Sequence, residues 1–165
     1  MSLADACASL KGARTWFFET IRFDFPGRLT VRLAEGMAGE QRMVRVGDAE
    51  VGPYTSVTTT AASRAIEIAF DNVWRYDTSR EGRERVPEGA NVHYADCLAE
   101  LPSPEFDHLW SDPQMALDRE EYGLRRWFVW SEDFVVYVVH SGEPSVTITA
   151  DKPNIDFKRS ETFYA

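Results

Sequence analysis

The chain has little cysteine, and its two cysteines are not at a metal-binding spacing. Only Cys7 and Cys97 are present among 165 residues, and they lie far apart in the sequence. A chain of this length can bury enough apolar surface to fold without disulfides, so we expect free thiols in a reducing compartment. No apolar run approaches the roughly 20 residues that a membrane-spanning helix needs, and no secretory signal is visible. These absences predict a soluble, cytoplasmic protein.

Catalytic signatures are missing as well. The sequence contains no phosphate-binding glycine loop, no dinucleotide fingerprint, no serine-nucleophile elbow and no paired histidines at metal-binding spacing. His93, Asp96 and Cys97 do lie within five residues of one another. These are the residue types that activate a catalytic cysteine or form part of a metal site. Catalytic groups usually converge from distant parts of a chain, so this cluster is weak evidence. We predict no catalytic residue, no metal ligand and no cofactor, which favours a non-enzymatic protein.

Basic charge is scarce, above all in the second half of the chain. The formal net charge is −9, and residues 91–165 hold 14 acidic and 6 basic side chains. Nucleic acid is not the expected partner, because phosphate contacts need a basic surface. Eight acids and one arginine lie between residues 96 and 121, and they either keep the protein soluble or dock a basic protein. The candidate contact residues are Asp96, Glu105, Asp107, Asp112, Asp118, Glu120 and Glu121.

What the sequence has in abundance is β-structure, clearest in its last third. Aromatic and β-branched residues form runs at 124–130, 134–140 and 145–150, separated by short polar breaks. This pattern predicts an antiparallel meander of three strands. The acidic pair Glu132-Asp133 falls in one of the breaks, where we expect solvated carboxylates rather than a general acid and base.

The first third predicts a short helix followed by a hairpin. The helix is indicated by one apolar stripe at helical spacing, formed by Leu3, Ala6, Cys7 and Leu10. The hairpin turns at Pro26-Gly27. Its first strand is expected to present one apolar face, made of Phe17, Ile21, Phe23 and Phe25, and its second strand to alternate through Leu29, Val31 and Leu33. A short strand at 43–46 and an irregular strand at 51–60 should follow a glycine-rich stretch.

Residues 63–77 have the longest alternating pattern and predict one long strand. Its expected core face consists of Ile66, Ile68, Phe70, Trp74 and Tyr76. Asn72 takes an inward position on that face, where it either marks a bend or faces a ligand cavity. A candidate pocket would combine Asn72 with His93 and Tyr94.

The segment from Thr78 to Gly123 interrupts the strands. Ser103-Pro104 and Asp112-Pro113 are helix-start signals, so two short helices are expected near 104–110 and 113–120. A connection of this length is more often functional than idle, which makes it the preferred contact surface.

These elements predict one α+β domain over residues 1–165. Its main component would be an antiparallel sheet of about seven or eight strands, curled into a sandwich or partial barrel. A helix would lie at the N-terminus, and short helices near 104–120.

The chain also resembles small, uncharacterised bacterial proteins, some of which belong to toxin–immunity loci. The resemblance lies in the apolar spacing of residues 68–76, the charged middle insertion, and the segments 136–139, 146–148 and 153–155. It implies an acidic cytoplasmic protein that neutralises a toxin by binding it, and it defines no functional residues. The alternative is a small-ligand-binding β-barrel or a minor enzyme, with its site between the sheet and residues 78–123.

Overall fold

The computed structural model describes residues 3–8, 10–80, 92–95, 97–101, 113–149, 151–153 and 162–164. The elements in chain order are α1 (Leu3–Ala8), β1 (Thr15–Asp24), β2 (Arg28–Val46), β3 (Ala49–Thr58), β4 (Ala65–Phe70), β5 (Val73–Ser79), β6 (Val92–Ala95), β7 (Leu98–Glu100), α2 (Pro113–Tyr122), β8 (Leu124–Trp130), β9 (Val135–Ser141), β10 (Ser145–Thr149) and β11 (Thr162–Tyr164). The predicted α+β class, dominated by antiparallel sheet, is confirmed. The expected helix at 104–110 lies outside the described residues.

The strands form two sheets that face each other across a shared core. The first sheet has the order β10-β4-β2-β3-β11, with β1 also paired to β2, and the second has the order β5-β9-β8-β7-β6. Both sheets and α1 contribute side chains to one apolar cluster, including Val31, Ile68, Trp127 and Val138. The strands of the described ranges make two layers and no closed barrel.

The predicted meander is correct for two of its three strands. β8 and β9 pair antiparallel over their full lengths. β10, however, leaves that sheet and pairs with β4 in the first sheet, where Val146 lies opposite Ile68. The third strand therefore ties the two layers together instead of extending one of them.

β2 is much longer than the sequence predicts, because the glycine-rich stretch continues the strand. Gly36 lies within β2, and a Cβ added to it would come within 2.6 Å of the Thr15 side chain and 2.7 Å of the Val57 side chain. Only glycine fits between these neighbours. The second half of β2 pairs with β3 to form an arm, residues 38–53, on which most side chains are exposed.

The face assigned to the first strand is wrong for Phe17 because of a β-bulge. The register between β1 and β2 shifts between Phe18 and Thr20. Side chains alternate between the two faces of a strand, so one extra residue at the bulge moves every side chain before it to the opposite face. Phe18, opposite Leu33, therefore shares the inner face with Ile21, whereas Phe17, opposite Ala34, lies on the other face, where it is also buried.

The predicted long strand at 63–77 is two strands in different sheets. β4 ends at Phe70, β5 begins at Val73, and Asn72 has a φ of 55° in the turn between them. Asparagine is one of the few residues that adopt this conformation readily. Ile66, Ile68 and Phe70 do lie in the core, but Trp74 and Tyr76 are 45% and 41% exposed. The inward assignment of Asn72 is also wrong, since its side chain is exposed.

Candidate protein-contact surface

Helix α2 carries the acidic residues that the sequence singles out. It begins at Pro113, as the Asp112-Pro113 signal predicts, and extends to Tyr122. Asp118 is half-buried and accepts a hydrogen bond of 2.7 Å from the Gln114 side chain, while Glu120 and Glu121 are exposed. Proline at the first helical position is favourable because it lacks the N–H that would have no partner there.

An apolar side chain lies among these acids. Leu117 is 61% exposed. Residues three and four apart on a helix are surface neighbours, so Glu120 and Glu121 flank Leu117 on one side and Gln114 flanks it on the other. The exposed face of α2 therefore consists of one leucine bordered by polar and acidic groups.

An aromatic pair joins this helix to the second sheet. The rings of Trp74, on β5, and Tyr122, at the end of α2, have centroids 4.9 Å apart. Both side chains are nearly half exposed. A hydrogen bond to the Glu121 carboxylate raises the pKa of the Tyr122 hydroxyl. We call this region the acidic–aromatic surface; its members are Trp74, Leu117, Asp118, Glu120, Glu121 and Tyr122.

The structure brings together three of the seven predicted contact residues. Asp118, Glu120 and Glu121 share α2. The other four, Asp96, Glu105, Asp107 and Asp112, lie outside the described residues. Sequence reasoning missed the aromatic half of the surface, because strict alternation assigned Trp74 to the core.

The three candidate pocket residues are divided between the two opposite edges of the second sheet. Asn72 precedes β5 at one edge, whereas the backbone of His93 and Tyr94 forms β6 at the other. Four strand-to-strand spacings of about 4.8 Å separate those edges by roughly 19 Å. Asn72 is therefore remote from the backbone of the other two residues.

His140 is a structural residue in the core. Its side chain is only 1% exposed and packs edge-on against Phe70 with ring centroids 5.2 Å apart. Its Nδ1–H donates to the Asp71 carbonyl at 3.0 Å. Burial lowers the pKa of His140, so the neutral ring is favoured. The ring thereby holds the turn that separates β4 from β5.

The acidic pair Glu132-Asp133 is also structural, and both residues are half-buried. The Thr15 hydroxyl donates to Glu132 Oε1 at 2.6 Å, and the Phe18 N–H donates to Asp133 Oδ1 at 2.9 Å. These bonds attach the β8–β9 turn to the start of β1. Charge-assisted bonds of this kind are the stronger ones in proteins.

Both cysteines lie in the core. Both are fully buried, and burial raises the pKa of the Cys7 thiol to about 11. A thiol of this kind is a poor nucleophile. Within the described ranges, no three His, Cys, Asp or Glu side chains are grouped as metal ligands would be.

Comparison with protein-family models, curated proteins and solved structures gave no match to this chain. None of the helices in the described ranges has the length and hydrophobicity needed to cross a bilayer.

Proposed function

We propose that this chain is a protein-binding protein that docks a basic partner on the acidic–aromatic surface. The observation that carries the proposal is the exposed face of α2, where Leu117 lies between Gln114 and the carboxylates of Glu120 and Glu121. The concrete form of the proposal is an immunity-type protein of the bacterial cytoplasm that neutralises a toxin by binding it.

The chemistry of the surface matches that of a protein interface. Aromatic side chains are enriched at interface centres because they bury a large area at a small cost in conformational entropy. Trp74 and Tyr122 are already held against each other, so little ordering is required when a partner covers them. Carboxylates at the rim attract a basic partner and raise its association rate.

The resemblance to proteins of toxin–immunity loci supports the immunity role. The overall negative charge fits a toxin with a basic surface. Two buried free thiols agree with a reducing cytoplasm. The candidate partner is the protein encoded immediately upstream of this chain.

Leu117→Ser is expected to weaken binding of that upstream protein by about tenfold or more, chiefly through faster dissociation, because a buried leucine contributes about 1.5–3 kcal/mol. Biolayer interferometry with the purified proteins measures both rates. Met43→Ser on the arm is the matched control, since Met43 is similarly exposed but lies far along β2. Equal affinities for wild type and Leu117→Ser, or an equal loss in the control, would contradict the proposal.

A further inference from the structure

β5 is an edge strand of the second sheet, and within the part of the chain that the structure describes no strand pairs with its outer side from Trp74 to Thr78. It forms one end of the second sheet and pairs with β9 along its whole length. Its first N–H, at Val73, donates to the Gly27 carbonyl at 2.9 Å, but no strand of the described ranges pairs beyond that point. Side chains 74–78 are all exposed. An open edge is a template for another strand unless proline, lysine or a bulge blocks it.

Residues 74–78 of β5 have few of the features that block pairing at a sheet edge. The only register shift lies between Val73 and Arg75, at the start of the strand, and the stretch contains neither proline nor lysine. Its two charges, on Arg75 and Asp77, form an ion pair at 3.2 Å and offset each other. Residues 75–78 therefore remain regular and electrically neutral as a unit.

Exposed aromatic side chains border this edge. Tyr76 stacks on Phe23 with ring centroids 5.8 Å apart, and Phe25, in the adjoining β1–β2 turn, is 97% exposed. Exposed apolar patches with polar surroundings mark interaction sites on soluble proteins. The border is polar here, since Arg22 pairs with Asp24 and Arg28 pairs with Asp71.

The charge order of β5 is self-complementary. When two copies of one strand pair antiparallel about a two-fold axis, one residue must face its own copy. With Tyr76 at the centre, Arg75 of each copy lies opposite Asp77 of the other, and Trp74 lies opposite Thr78. Centring the pair on Arg75 or on Asp77 would instead oppose like charges, which is destabilising.

We propose that this chain forms a homodimer through antiparallel pairing of β5 with β5 of a second copy, centred on Tyr76. The pairing joins the two five-stranded sheets into one continuous sheet and covers the aromatic border. It uses the backbone edge of β5 and, of the acidic–aromatic surface, only Trp74. The dimer does not require the proposed toxin partner, and Leu117 on α2 lies outside the β5 pairing.

Charge exchange tests the register. Sedimentation equilibrium of the full chain should show a concentration-dependent dimer. Arg75→Asp should weaken it about tenfold or more, because two attractive cross-strand pairs become repulsive. Combining Arg75→Asp with Asp77→Arg restores the complementarity and should restore the dimer. Leu117→Ser, on α2, should leave the dimer unchanged, which separates this test from that of the proposed function.

Disulfide trapping tests the two-fold axis. In Tyr76→Cys the two new thiols face each other at a Cα separation of about 5.5 Å, within the range of a disulfide. Thr78→Cys is the control, since its copies are offset by four residues, or roughly 13 Å. Mild oxidation should give a covalent dimer for Tyr76→Cys only. A monomer at every concentration, a dimer insensitive to Arg75→Asp, failure of the double exchange to restore it, or equal trapping of both cysteines would overturn the proposal.

Discussion

Phe70→Ala is expected to lower the free energy of unfolding by about 3–5 kcal/mol, because the substitution opens a cavity that the surrounding sheets cannot close. Phe70 has no exposed surface, and it packs between the two layers against Trp127 and His140. Loss of the ring also removes the edge-on contact that helps to hold His140 against the Asp71 carbonyl. Urea titration followed by tryptophan fluorescence measures the change.

Two exposed side chains from the same stretch serve as controls. Glu67→Ala and Trp74→Ala should each cost under about 1 kcal/mol, since both side chains are more than two-fifths exposed. The comparison with Trp74 is the sharper one, because strict alternation puts Trp74 and Phe70 on one core face. Equal losses at Phe70 and Trp74 would show that the break at Asn72 is absent in solution.

Arg64→Met is expected to lower the free energy of unfolding by about 2–3 kcal/mol. This loss is smaller than the loss on breaking a fully buried ion pair, because the Arg64 side chain is 30% exposed. Arg64 makes two bonds of 2.7 Å to the Glu35 carboxylate, and its backbone carbonyl accepts the Glu35 N–H. The substitution keeps the aliphatic part of the side chain but leaves a nearly buried carboxylate without its cation. Arg22→Met breaks an exposed ion pair of similar length and should cost under about 0.5 kcal/mol.

The effect of Arg64 depends on pH in a defined direction. The hydrogen bond from Arg64 lowers the pKa of Glu35 in the folded protein. The contribution of this hydrogen bond to stability is therefore complete above the ordinary glutamate pKa of about 4.3. It is lost as the pH falls through the lower pKa that Glu35 has in the folded protein. The difference between wild type and Arg64→Met should shrink in that acidic range. A difference that stays constant or grows on acidification would contradict the assignment.

Local pattern was sufficient to predict the sheet-rich class and several core faces. Alternation correctly identified Ile66, Ile68 and Phe70, and helical spacing correctly identified α1. These successes share a cause, because a residue's face depends only on its neighbours as long as the element is unbroken. The bulge before Thr20 and the turn at Asn72 break that condition, and the assignments of Phe17, Trp74 and Tyr76 failed there.

Strand pairing was beyond what the pattern could determine. β10 is apolar and β-branched whether it pairs with β9, its neighbour in the sequence, or with β4, its actual partner. Gly36 likewise suggested a loop, although close packing by Thr15 and Val57 requires a glycine in mid-strand. The partner of a strand is set by long-range packing, which single-sequence periodicity does not contain.

The acidic half of the candidate surface could be proposed from the sequence, whereas its aromatic half could not. The acidic excess between residues 96 and 121 includes Asp118, Glu120 and Glu121, which the structure places on α2. The aromatic pair was missed, although Asp71-Asn72 is a turn-forming dipeptide that would have separated Trp74 from the core strand. Alternation placed Asn72 on the inner face, with a bend as one of its two explanations, but kept Trp74 and Tyr76 on the same strand and the same core face.

The most direct test of the proposed function is the rate at which the upstream-encoded protein associates with two charge-reversed variants. Glu120→Lys with Glu121→Lys alters the acidic–aromatic surface, and Asp48→Lys with Glu50→Lys makes the same change in net charge on the exposed arm. We expect the first variant to associate about tenfold more slowly at low salt, the second to match wild type, and the wild-type rate to fall as salt is raised. Equal rates for the two variants, or a wild-type rate independent of salt, would contradict docking on this surface.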